Sequence, residues 1–580
     1  MRRGTNVLVA VVAAATVVGI AASAAGAQSN NAYASSNAGI ANVFATTQKT
    51  SCYTPEVPFF VDLGPALGYS GMTPCNGAAT TGEALGPYPT QAGSNPGYPA
   101  TTAMLVKNHS ESDIRVDPTN ADHVIGTSKW FVSSEGYNHL LGFYEKTSAG
   151  SWIEGHIPGY EGWTDDTDPV GAFDRFGNFW FLNLAYQFFY RNDGSHNFTV
   201  GKSQEPNPVE PAEVIGASVR PHGSTTATQW GAPETDVVAA YDSVGNEPDK
   251  QWITVDTSSS PTSHPNRIYA MWVDFHFVTP VPYVSYADAT MVGTHTPWST
   301  PQRLPEPPHT PTGATYLLPH VAPNGDVYTP VTNFDPAHQY GSASIFIDKS
   351  TDGGATWQTI GSPISLPSVT PEIFANTTFR DGIIDTFAVG SHPVDGHYPL
   401  YVAYEDYSAG VSNVLLTVSY DDGVHWEPPI TVNDNTTTVD EFQPNLSVAP
   451  SGTVSVAWYD RRLACPTAGS AEANAAGITA FDPAAAGRTN YCVNTSVQFY
   501  DSTLHPLGTN VRLTQHTWDP QLNAPHTGSP TGTETFIGDY FGNDASVGTI
   551  DWFSFVSTYN DGSNPQNRQQ QVVVAVPTRS

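Results

Sequence analysis

The sequence predicts an all-β fold, a single β-propeller of four-stranded blades, with seven blades favoured and six as the alternative. Short runs of Val, Ile, Tyr, Phe and Trp follow one another from about residue 112 onward, broken by Gly, Pro, Asn and Asp. Helical periodicity is almost absent from this part of the chain. Seven of its segments can also be laid over one another. Repetition every 40–50 residues or so, with insertions between repeats, is typical of propeller blades.

Each of the seven segments is an inner strand, a tight turn and a returning strand. A single blade cannot bury both faces of its sheet, so blades pack around a channel. A pair of β-sandwiches is the alternative, but it does not explain the repeated inner strand. The segments pair residues 114–118 with 124–130, 168–174 with 179–184, 251–256 with 267–273, 319–323 with 327–331, 383–389 with 400–404, 443–450 with 454–459, and 537–544 with 550–556.

The first 27 residues are typical of a secretory signal peptide. Arg2 and Arg3 precede an apolar run over residues 7–20, and Ala25-Gly26-Ala27 offers a cleavage site of small residues. This run is shorter than the ~20 residues that a membrane span needs, and no later stretch reaches that length. We therefore expect a secreted, extracellular protein without a membrane span; a buried N-terminal helix is the alternative.

The charge of the chain excludes some partners. It has 54 acidic and 22 basic residues, a net charge of −32. Such a surface repels nucleic acid and anionic membranes. No cofactor motif occurs. An acidic rim could hold Ca²⁺ through oxygen ligands, although the sequence contains no calcium-loop motif and leaves metal binding undecided. We expect a monomer.

Four cysteines fall into two local pairs. Proximity favours disulfides Cys52–Cys75 and Cys465–Cys492, although four cysteines allow three pairings. No cysteine spacing fits a zinc site. Beyond the signal peptide, residues 28–105 are predicted to be an irregular segment packed on the propeller, which occupies residues 106–580. An insertion at 463–492, closed by the second disulfide, could form a partial lid over the channel. Residues 571–576 are a candidate strand for closing the ring.

Two hairpins carry a sharper motif, S-x-D-x-G-x-x-W. Its members are Ser350, Asp352, Gly354 and Trp357 in the first copy and Ser419, Asp421, Gly423 and Trp426 in the second. The aspartate can accept hydrogen bonds from backbone N–H groups of its own turn. The glycine supplies a positive φ angle, and the tryptophan can bury a large apolar area between sheets.

These hairpins resemble the Asp boxes, or BNR repeats, of the sialidase superfamily. Residues 249–256, 458–462 and 536–540 also resemble stretches in bacterial secreted sialidase-like proteins. The resemblance covers most of residues 112–576. It implies a propeller of six to eight blades. It is weak for function, because the same hairpin occurs in sialidases, in other glycoside hydrolases and in non-catalytic receptor propellers.

The hairpins also indicate where a site should be sought. They are expected to connect the third and fourth strands of their blades, which places them on the face opposite the start of each inner strand. A structural role is therefore expected for both. The other face collects an acidic rim with a few cations, and we expect the functional site there.

Five residues of that face are the candidate catalytic groups. Glycoside hydrolysis uses two carboxyl groups, and sialidases replace the nucleophile with a tyrosine backed by a carboxylate. Asp539 and Tyr540 with Glu441 are the expected nucleophile side, Asp168 is the candidate acid/base, and Arg461 is the nearby cation. The alternative role of these carboxylates is to cap strand ends and pair with neighbouring cations.

The sialidase signature itself is incomplete. Sialidases grip the substrate carboxylate with three arginines, and few arginines are suitably placed here. The Phe/Tyr-Arg-Ile-Pro motif of the family is absent. A neutral glycan suits the acidic surface better. The sequence therefore predicts a secreted sialidase-like glycoside hydrolase that acts on extracellular carbohydrate at the channel mouth. A non-catalytic propeller that binds glycan or protein is the alternative.

Overall fold

The chain forms seven blades around a central channel, which confirms the predicted propeller and its favoured blade number. Each inner strand contacts the inner strands of both neighbouring blades, so the ring is closed. The computed structural model describes residues 41–45, 109–131, 139–157, 165–187, 189–190, 196–197, 212–231, 236–241, 246–276, 279–305, 314–334, 341–374, 379–435, 438–463, 465–466, 469–476, 492–518, 535–560 and 569–579.

The first four blades follow one another along the chain, each as an antiparallel sheet that runs from the axis outward. In blade 4 the inner strand is divided into two short pieces. The strands are His109–Asp117, Asn120–Phe131, His139–Lys146 and Trp152–His156 in blade 1; Asp165–Phe173, Phe179–Gln187, Ala212–Arg220 and Val237–Tyr241 in blade 2; Asn246–Val255, Arg267–His276, Thr279–Asp288 and Gln302–Arg303 in blade 3; and Ala314–Thr315 with His320–Val321, Val327–Phe334, Ala343–Ser350 and Gln358–Leu366 in blade 4.

Blades 5 to 7 complete the ring. Among the described residues, two small additional strand pairs, Phe189–Tyr190 with His196–Asn197 and Phe379–Arg380 with Thr535–Phe536, lie outside the blades, and one helix spans Ala471–Ala476. The strands are Asp385–Val389, Leu400–Asp406, Asn413–Ser419 and Ile430–Thr431 in blade 5; Glu441–Val448, Val454–Asp460, Asn494–Tyr500 and Val511–Arg512 in blade 6; and Gly542–Asp544, Ile550–Ser557, Gln570–Pro577 and Ala41–Ala45 in blade 7.

The N-terminal strand supplies the outer strand of the last blade. Ala41–Ala45 pairs antiparallel with Gln570–Pro577, which is the third strand of blade 7. The predicted C-terminal strand is therefore present, but the ring closes through the N-terminal strand beyond it. The sequence assigned residues 28–105 to an irregular segment, because five residues of mixed polarity are too short for a recognisable strand pattern. The remainder of that segment lies outside the described residues.

Aromatic and branched residues fill the spaces between blades. The second strand of blade 6, Val454–Asp460, is buried along its whole length because it has strands on both sides and a blade against each face. Trp180, Trp272 and Trp458 are almost completely buried in the corresponding second strands. Truncating such a side chain to alanine typically costs about 3–5 kcal/mol. The blades are thus held to one another mainly by apolar packing.

The two motif hairpins have matching hydrogen bonds. Gly354 donates its backbone N–H to Ser350 Oγ at 2.9 Å, and Thr356 donates to Asp352 Oδ1 at 2.8 Å. In the second copy Gly423 N bonds Ser419 Oγ at 2.8 Å, and His425 N bonds Asp421 Oδ1 at 2.8 Å. The glycines have φ angles of 87° and 77°.

Each hairpin tryptophan reaches the preceding blade. Trp357 packs against the apolar cluster shared by blades 3 and 4, and Trp426 Nε1 donates to Ser362 O in blade 4 at 2.9 Å. Both hairpins connect the third and outer strands of their blades. They therefore lie on the face opposite the start of the inner strands.

The insertion of blade 6 is fastened to blade 7. Cys465 and Cys492 form a disulfide with Cα atoms 5.3 Å apart, as predicted, whereas Cys52 and Cys75 lie outside the described residues. Beside the helix, Asn560 N donates to Ala475 O at 2.8 Å, and Tyr559 Oη donates to Glu472 at 3.2 Å. In the part of the chain that the structure describes, no helix is long and apolar enough to cross a membrane.

We predict that Ser350→Ala destabilises the fold by about 1–3 kcal/mol, because it leaves the buried Gly354 N–H without its acceptor. Chemical denaturation gives the free energy of unfolding directly. The exposed neighbour Thr351 provides the control, and Thr351→Ala should change stability by less than about 0.5 kcal/mol. Equal stability of the two variants would contradict a structural role for this hairpin.

Candidate functional site

Four inner strands carry a β-bulge near their start. The pairing register shifts in blades 1, 2, 3 and 6, and each shift contains a non-glycine residue with positive φ. These are Glu111, Asp168, Lys250 and Gln443, with φ angles of 49°, 55°, 55° and 47°. A bulge adds one residue and re-aims a side chain. Each left-handed residue also costs of the order of 1–3 kcal/mol, and such strain clusters at functional sites.

The bulged residues occupy one position that repeats around the ring. Glu111, Asp168 and Lys250 each stand six residues before an aspartate at the end of the inner strand or directly after it, namely Asp117, Asp174 and Asp256. Tyr316, which has a φ angle of 56°, Gln443 and Asp539 stand six residues before Ala322, Ala449 and Ala545. Six of the seven blades thus place this residue where the inner strands converge on the axis.

Charged side chains at this position meet neighbouring side chains near the axis, and we call the whole group the mouth cluster. Its members are Glu111, Lys129, Asp168, Lys250, Arg380, Asp539 and Tyr540. Lys129, on the second strand of blade 1, lies with Nζ 2.8 Å from Glu111 Oε2 and 3.4 Å from Asp168 Oδ1. Its Nζ also donates to Thr167 Oγ1 at 2.6 Å. Two carboxyl groups from neighbouring blades therefore share one ammonium group.

The other half of the mouth cluster is built on Asp539. Lys250 Nζ lies 2.7 Å from Asp539 Oδ2, and Arg380 Nη2 lies 2.6 Å from Asp539 Oδ1. The side chains of Lys250 and Arg380 are 18% and 29% exposed, whereas that of Asp539 is 7% exposed. The two cations therefore form the accessible edge of the cluster, and the carboxylate holds them in place from below.

Glu111 and Asp168 titrate as a pair. Burial raises the pKa of Glu111 well above its ordinary value, and the charge of Asp168 raises it further. Burial alone would also raise the pKa of Asp168, but Lys129 and Lys250 hold it well below its ordinary value. The Glu111 carboxyl accordingly donates a hydrogen bond to the Asp168 carboxylate. The pair therefore favours a state that holds one proton and one negative charge.

The cations of the cluster are matched by carboxyl groups. Burial would raise the pKa of Asp539, but Arg380 and Lys250 lower it, so this group is ionised. Asp249 adds a further carboxyl group: its Oδ2 lies 3.8 Å from Lys250 Nζ, and burial raises its pKa to about 6. Asp168, Asp249 and Asp539 therefore balance the three cations at neutral pH, within a chain whose net charge is −32.

Tyr540 forms the floor beneath the carboxyl pair. Its hydroxyl donates to Pro169 O at 3.0 Å, and its ring packs edge-on against Trp252 with centroids 5.1 Å apart. Burial raises the pKa of the Tyr540 phenol well above its ordinary value, and the charges of Glu111 and Asp168 add to this. The phenol is therefore protonated at rest. A space of about 10 Å³, enough for one water molecule, lies between Tyr540, Asp168, Lys250 and Asp539.

The structure brings Asp168, Asp539 and Tyr540 together but places Glu441 and Arg461 elsewhere. Glu441 is fully buried within blade 6, where Trp458 Nε1 donates to its carboxyl at 2.8 Å. Burial raises the pKa of Glu441, and the charge of Asp460 adds to the effect. Arg461 is fully buried 3.7 Å from Asp440 and over the ring of Phe379. In the mouth cluster the carboxyl group beside Tyr540 belongs to Glu111, whereas the sequence predicts Glu441 there.

Sequence reasoning missed Glu111 and Lys129. It began the first inner strand at Ile114, because the bulge interrupts the alternating pattern there. One signal could have found Glu111: the spacing of six residues to the strand-ending Asp117, shared with Asp168 and Lys250. Lys129 has no such signal. It stands near the end of the second strand of blade 1, where strand pairing places it beside Glu111 and the packing of blade 2 brings Asp168 to it.

No protein-family model and no curated protein sequence matches the chain. A protein of unknown function from Dyadobacter fermentans is similar in structure, with 10% identity, a TM-score of 0.40 and coverage of 82% of this chain and 95% of that one. The intramolecular trans-sialidase of Ruminococcus gnavus shares 11% identity, with a TM-score of 0.36 and coverage of 60% and 89%. The polysaccharide lyase Uly1 shares 11% identity, with a TM-score of 0.42 and coverage of 93% and 99%.

Sialidases are thus among the similar structures, as the resemblance of the two hairpins implies. At these identities and TM-scores the similarity concerns the fold, and the chemistry of this chain has to come from its own residues. Within the described residues, no group of three or more His, Cys, Asp or Glu side chains is arranged to hold a metal ion.

Other buried carboxyl groups make the fold sensitive to pH. Asp385, at the start of the blade 5 inner strand, accepts one hydrogen bond from Thr332 at 2.7 Å, and burial raises its pKa to about 7. The folded state therefore binds this proton more tightly than the unfolded chain. The resulting stability is complete below pH 4 or so, the ordinary range of the group, and is lost as pH rises through 7.

We predict that Asp385→Asn raises the unfolding temperature at pH 8 and changes it little at pH 4.5, because asparagine cannot ionise. Thermal unfolding monitored by circular dichroism measures both. Asp352→Asn is the control of opposite sign. The turn N–H and hydroxyl of Thr356 lower the pKa of Asp352 despite some burial, so this variant should be less stable at pH 8. A lower unfolding temperature of Asp385→Asn at pH 8 would refute the assignment.

Proposed function

We propose that the protein is a secreted glycoside hydrolase that acts on extracellular glycans at the channel mouth. One observation carries the proposal: the Tyr540 phenol lies beside two carboxyl groups, Glu111 and Asp168, that share a single proton. Glycosidases of the sialidase type need a tyrosine nucleophile, a group that takes its proton and an acid for the leaving group. These three side chains can supply all three functions.

The proposed reaction uses the proton of the pair. Glu111 protonates the leaving oxygen as the glycosidic bond breaks, while the Tyr540 oxygen attacks the anomeric carbon and Asp168 accepts the phenol proton. Glu111, now a carboxylate, then deprotonates a water molecule that attacks the anomeric carbon. The bond to Tyr540 breaks, and the phenolate regains its proton from Asp168. Atoms and charges balance over the two steps.

Lys250 and Arg380 are proposed to hold the substrate. They are the exposed members of the mouth cluster; Asp539 contacts both, and Asp249 lies 3.8 Å from Lys250. Asp539 then acts as a positioning residue. The two cations can bind the hydroxyl groups of a neutral sugar or the carboxylate of an acidic sugar. This widens the sequence-based expectation of a neutral glycan.

Export is supported by the residues rather than by the fold. The basic residues, apolar run and small-residue site of residues 1–27 fit a signal peptide. The disulfide Cys465–Cys492 fits an oxidising compartment.

A second candidate function is a non-catalytic propeller that binds glycan or protein. The burial of the cluster favours it: Glu111, Asp168 and Asp539 are 1%, 7% and 5% exposed. Every one of these carboxyl groups also has a cation within 3.4 Å. Such a cluster can rigidify the channel mouth without reacting. The hydrolase and the binding propeller are distinguished by whether a variant that cannot share the proton of Glu111 and Asp168 loses turnover.

We predict that purified full-length protein hydrolyses at least one member of a chromogenic glycoside panel that includes sialosides. Glu111→Gln and Asp168→Asn should each lower kcat by about 10²–10⁴, because each removes one half of the proton exchange. Glu405→Gln provides the control. It also alters a buried carboxyl group that neighbours another, Asp381, but lies on the second strand of blade 5. Its activity should match that of the wild type.

The same experiment tests the alternatives. Glu441→Gln should retain activity. If Glu441→Gln is inactive and Glu111→Gln is fully active, then Glu441, as the sequence predicts, is the catalytic carboxyl group. Absence of hydrolysis across the panel, with saturable binding of an oligosaccharide by the unmodified protein, would leave the binding propeller as the function.

We also predict that Lys129→Met moves both limbs of the pH profile of kcat/KM to higher pH. Lys129 lowers the pKa of Glu111 and of Asp168, so its removal should raise both. Activity needs protonated Glu111 and ionised Asp168; the basic limb follows Glu111 and the acidic limb follows Asp168. Initial rates from pH 3 to 9 measure the profile. Limbs that stay in place or move to lower pH would show that the pair does not control the reaction.

A further inference from the structure

The channel continues below the mouth cluster as a separate compartment. It encloses about 340 Å³, within the range of small-molecule sites. Trp252 lines both this lower channel and the small space above it, so Trp252 and Tyr540 separate the two. Residues that follow the inner strands, such as Pro118, Pro323 and Val547, also line the lower channel. It therefore opens toward the face that carries the turns between first and second strands.

Arg115 brings a cation into this lower channel. Its side chain is 21% exposed and forms part of the wall. Nη1 donates to Ile114 O at 2.7 Å and lies 2.6 Å from Asp113 Oδ1. Both contacts use the same nitrogen. Among the described residues, Nε and Nη2 have no hydrogen-bond partner, so these two nitrogens, which carry three N–H groups, remain for a ligand.

Two further side chains in the wall have unused hydrogen-bonding nitrogens. The His320 ring packs edge-on against Phe387, with centroids 5.6 Å apart, and neither ring nitrogen has a hydrogen-bond partner in the described part of the chain. Burial lowers the pKa of His320 to about 3, with a contribution from Arg115, so the imidazole is neutral and donates one N–H. Trp252 also has an unused donor, because its indole N–H has no acceptor among the described residues.

The wall of the lower channel carries little negative charge. Asp544 is the one carboxylate among the described residues that line the lower channel. Its Oδ2 accepts the backbone N–H of Val116 at 2.8 Å, and its Oδ1 accepts that of Ser546 at 2.8 Å. Both oxygens are therefore engaged with the backbone. Unused donors from blades 1, 3 and 4 consequently outnumber unused charged acceptors, which favours a ligand that is rich in acceptors.

We propose that the lower channel binds the carboxylate of a small polyhydroxylated organic acid. The planar guanidinium of Arg115 suits two parallel hydrogen bonds to a carboxylate. His320 and Trp252 add donors across the channel, and the Trp252 ring adds an apolar wall. This site does not depend on the proposed hydrolysis, because it lies on the other side of the Trp252–Tyr540 partition.

The test is isothermal titration calorimetry of the full-length protein with gluconate and with sorbitol at equal ionic strength. The two probes have the same six-carbon chain with hydroxyl groups, and only gluconate has a carboxylate. We expect saturable binding of gluconate and at least tenfold weaker binding of sorbitol. Arg115→Gln should weaken gluconate binding at least tenfold. Arg175→Gln is the matched control, since Arg175 is an exposed arginine in a turn on the same face, and it should bind like the wild type.

Several outcomes would overturn the proposal. They are the absence of saturable heat with gluconate, equal affinities for gluconate and sorbitol, and unchanged binding by Arg115→Gln. Loss of gluconate binding in Lys250→Gln with retention in Arg115→Gln would place the ligand in the mouth cluster instead. If circular dichroism shows that Arg115→Gln does not fold, His320→Phe decides the question. This variant keeps the ring packing on Phe387, and it should weaken binding at least threefold.

Discussion

The functional end of this propeller depends on the pairing of buried charges. Left-handed bulges turn Glu111, Asp168 and Lys250 toward the axis, where water is scarce. An unpaired charge in such a place would cost several kcal/mol or more. Ion pairing offsets this cost. Lys129 lies between Glu111 and Asp168, and Asp539 lies between Lys250 and Arg380. The pairs Lys129–Asp168 and Lys250–Asp539 join residues from different parts of the ring, so the cluster depends on how the blades pack.

This requirement links the site to the closure of the ring. The cluster takes Lys129 from blade 1, Asp168 from blade 2 and Lys250 from blade 3, while Asp539 precedes the inner strand of blade 7. Blades 7 and 1 are adjacent only because the ring is closed. Strand Ala41–Ala45, pairing with Gln570–Pro577, completes the blade at that junction. Local features of the sheet edges therefore influence a site that lies on the axis.

The parts that the sequence predicted are those that local chemistry determines. The hairpins at Ser350 and Ser419 are set by bonds within eight residues, and the Cys465–Cys492 disulfide joins near neighbours. The blade number followed from repetition. Glu111 escaped because a bulge hides the strand pattern, and Lys129 because its partners are distant in sequence. Glu441 looked suitable by position, but its carboxyl points to Trp458 within blade 6, a direction that no sequence pattern specifies.

The partition formed by Trp252 and Tyr540 gives the channel two chemical environments. Above it, cations and carboxyl groups are already paired, so a ligand can bind only by exchanging one partner for another. Below it, Arg115 keeps two guanidinium nitrogens unused beside neutral His320, so a ligand can bind without displacing a protein group. The proposed hydrolysis would use the coupled proton of the upper environment, and the proposed anion site would use the unused donors of the lower one. The two proposals concern separate compartments, because two aromatic rings lie between them.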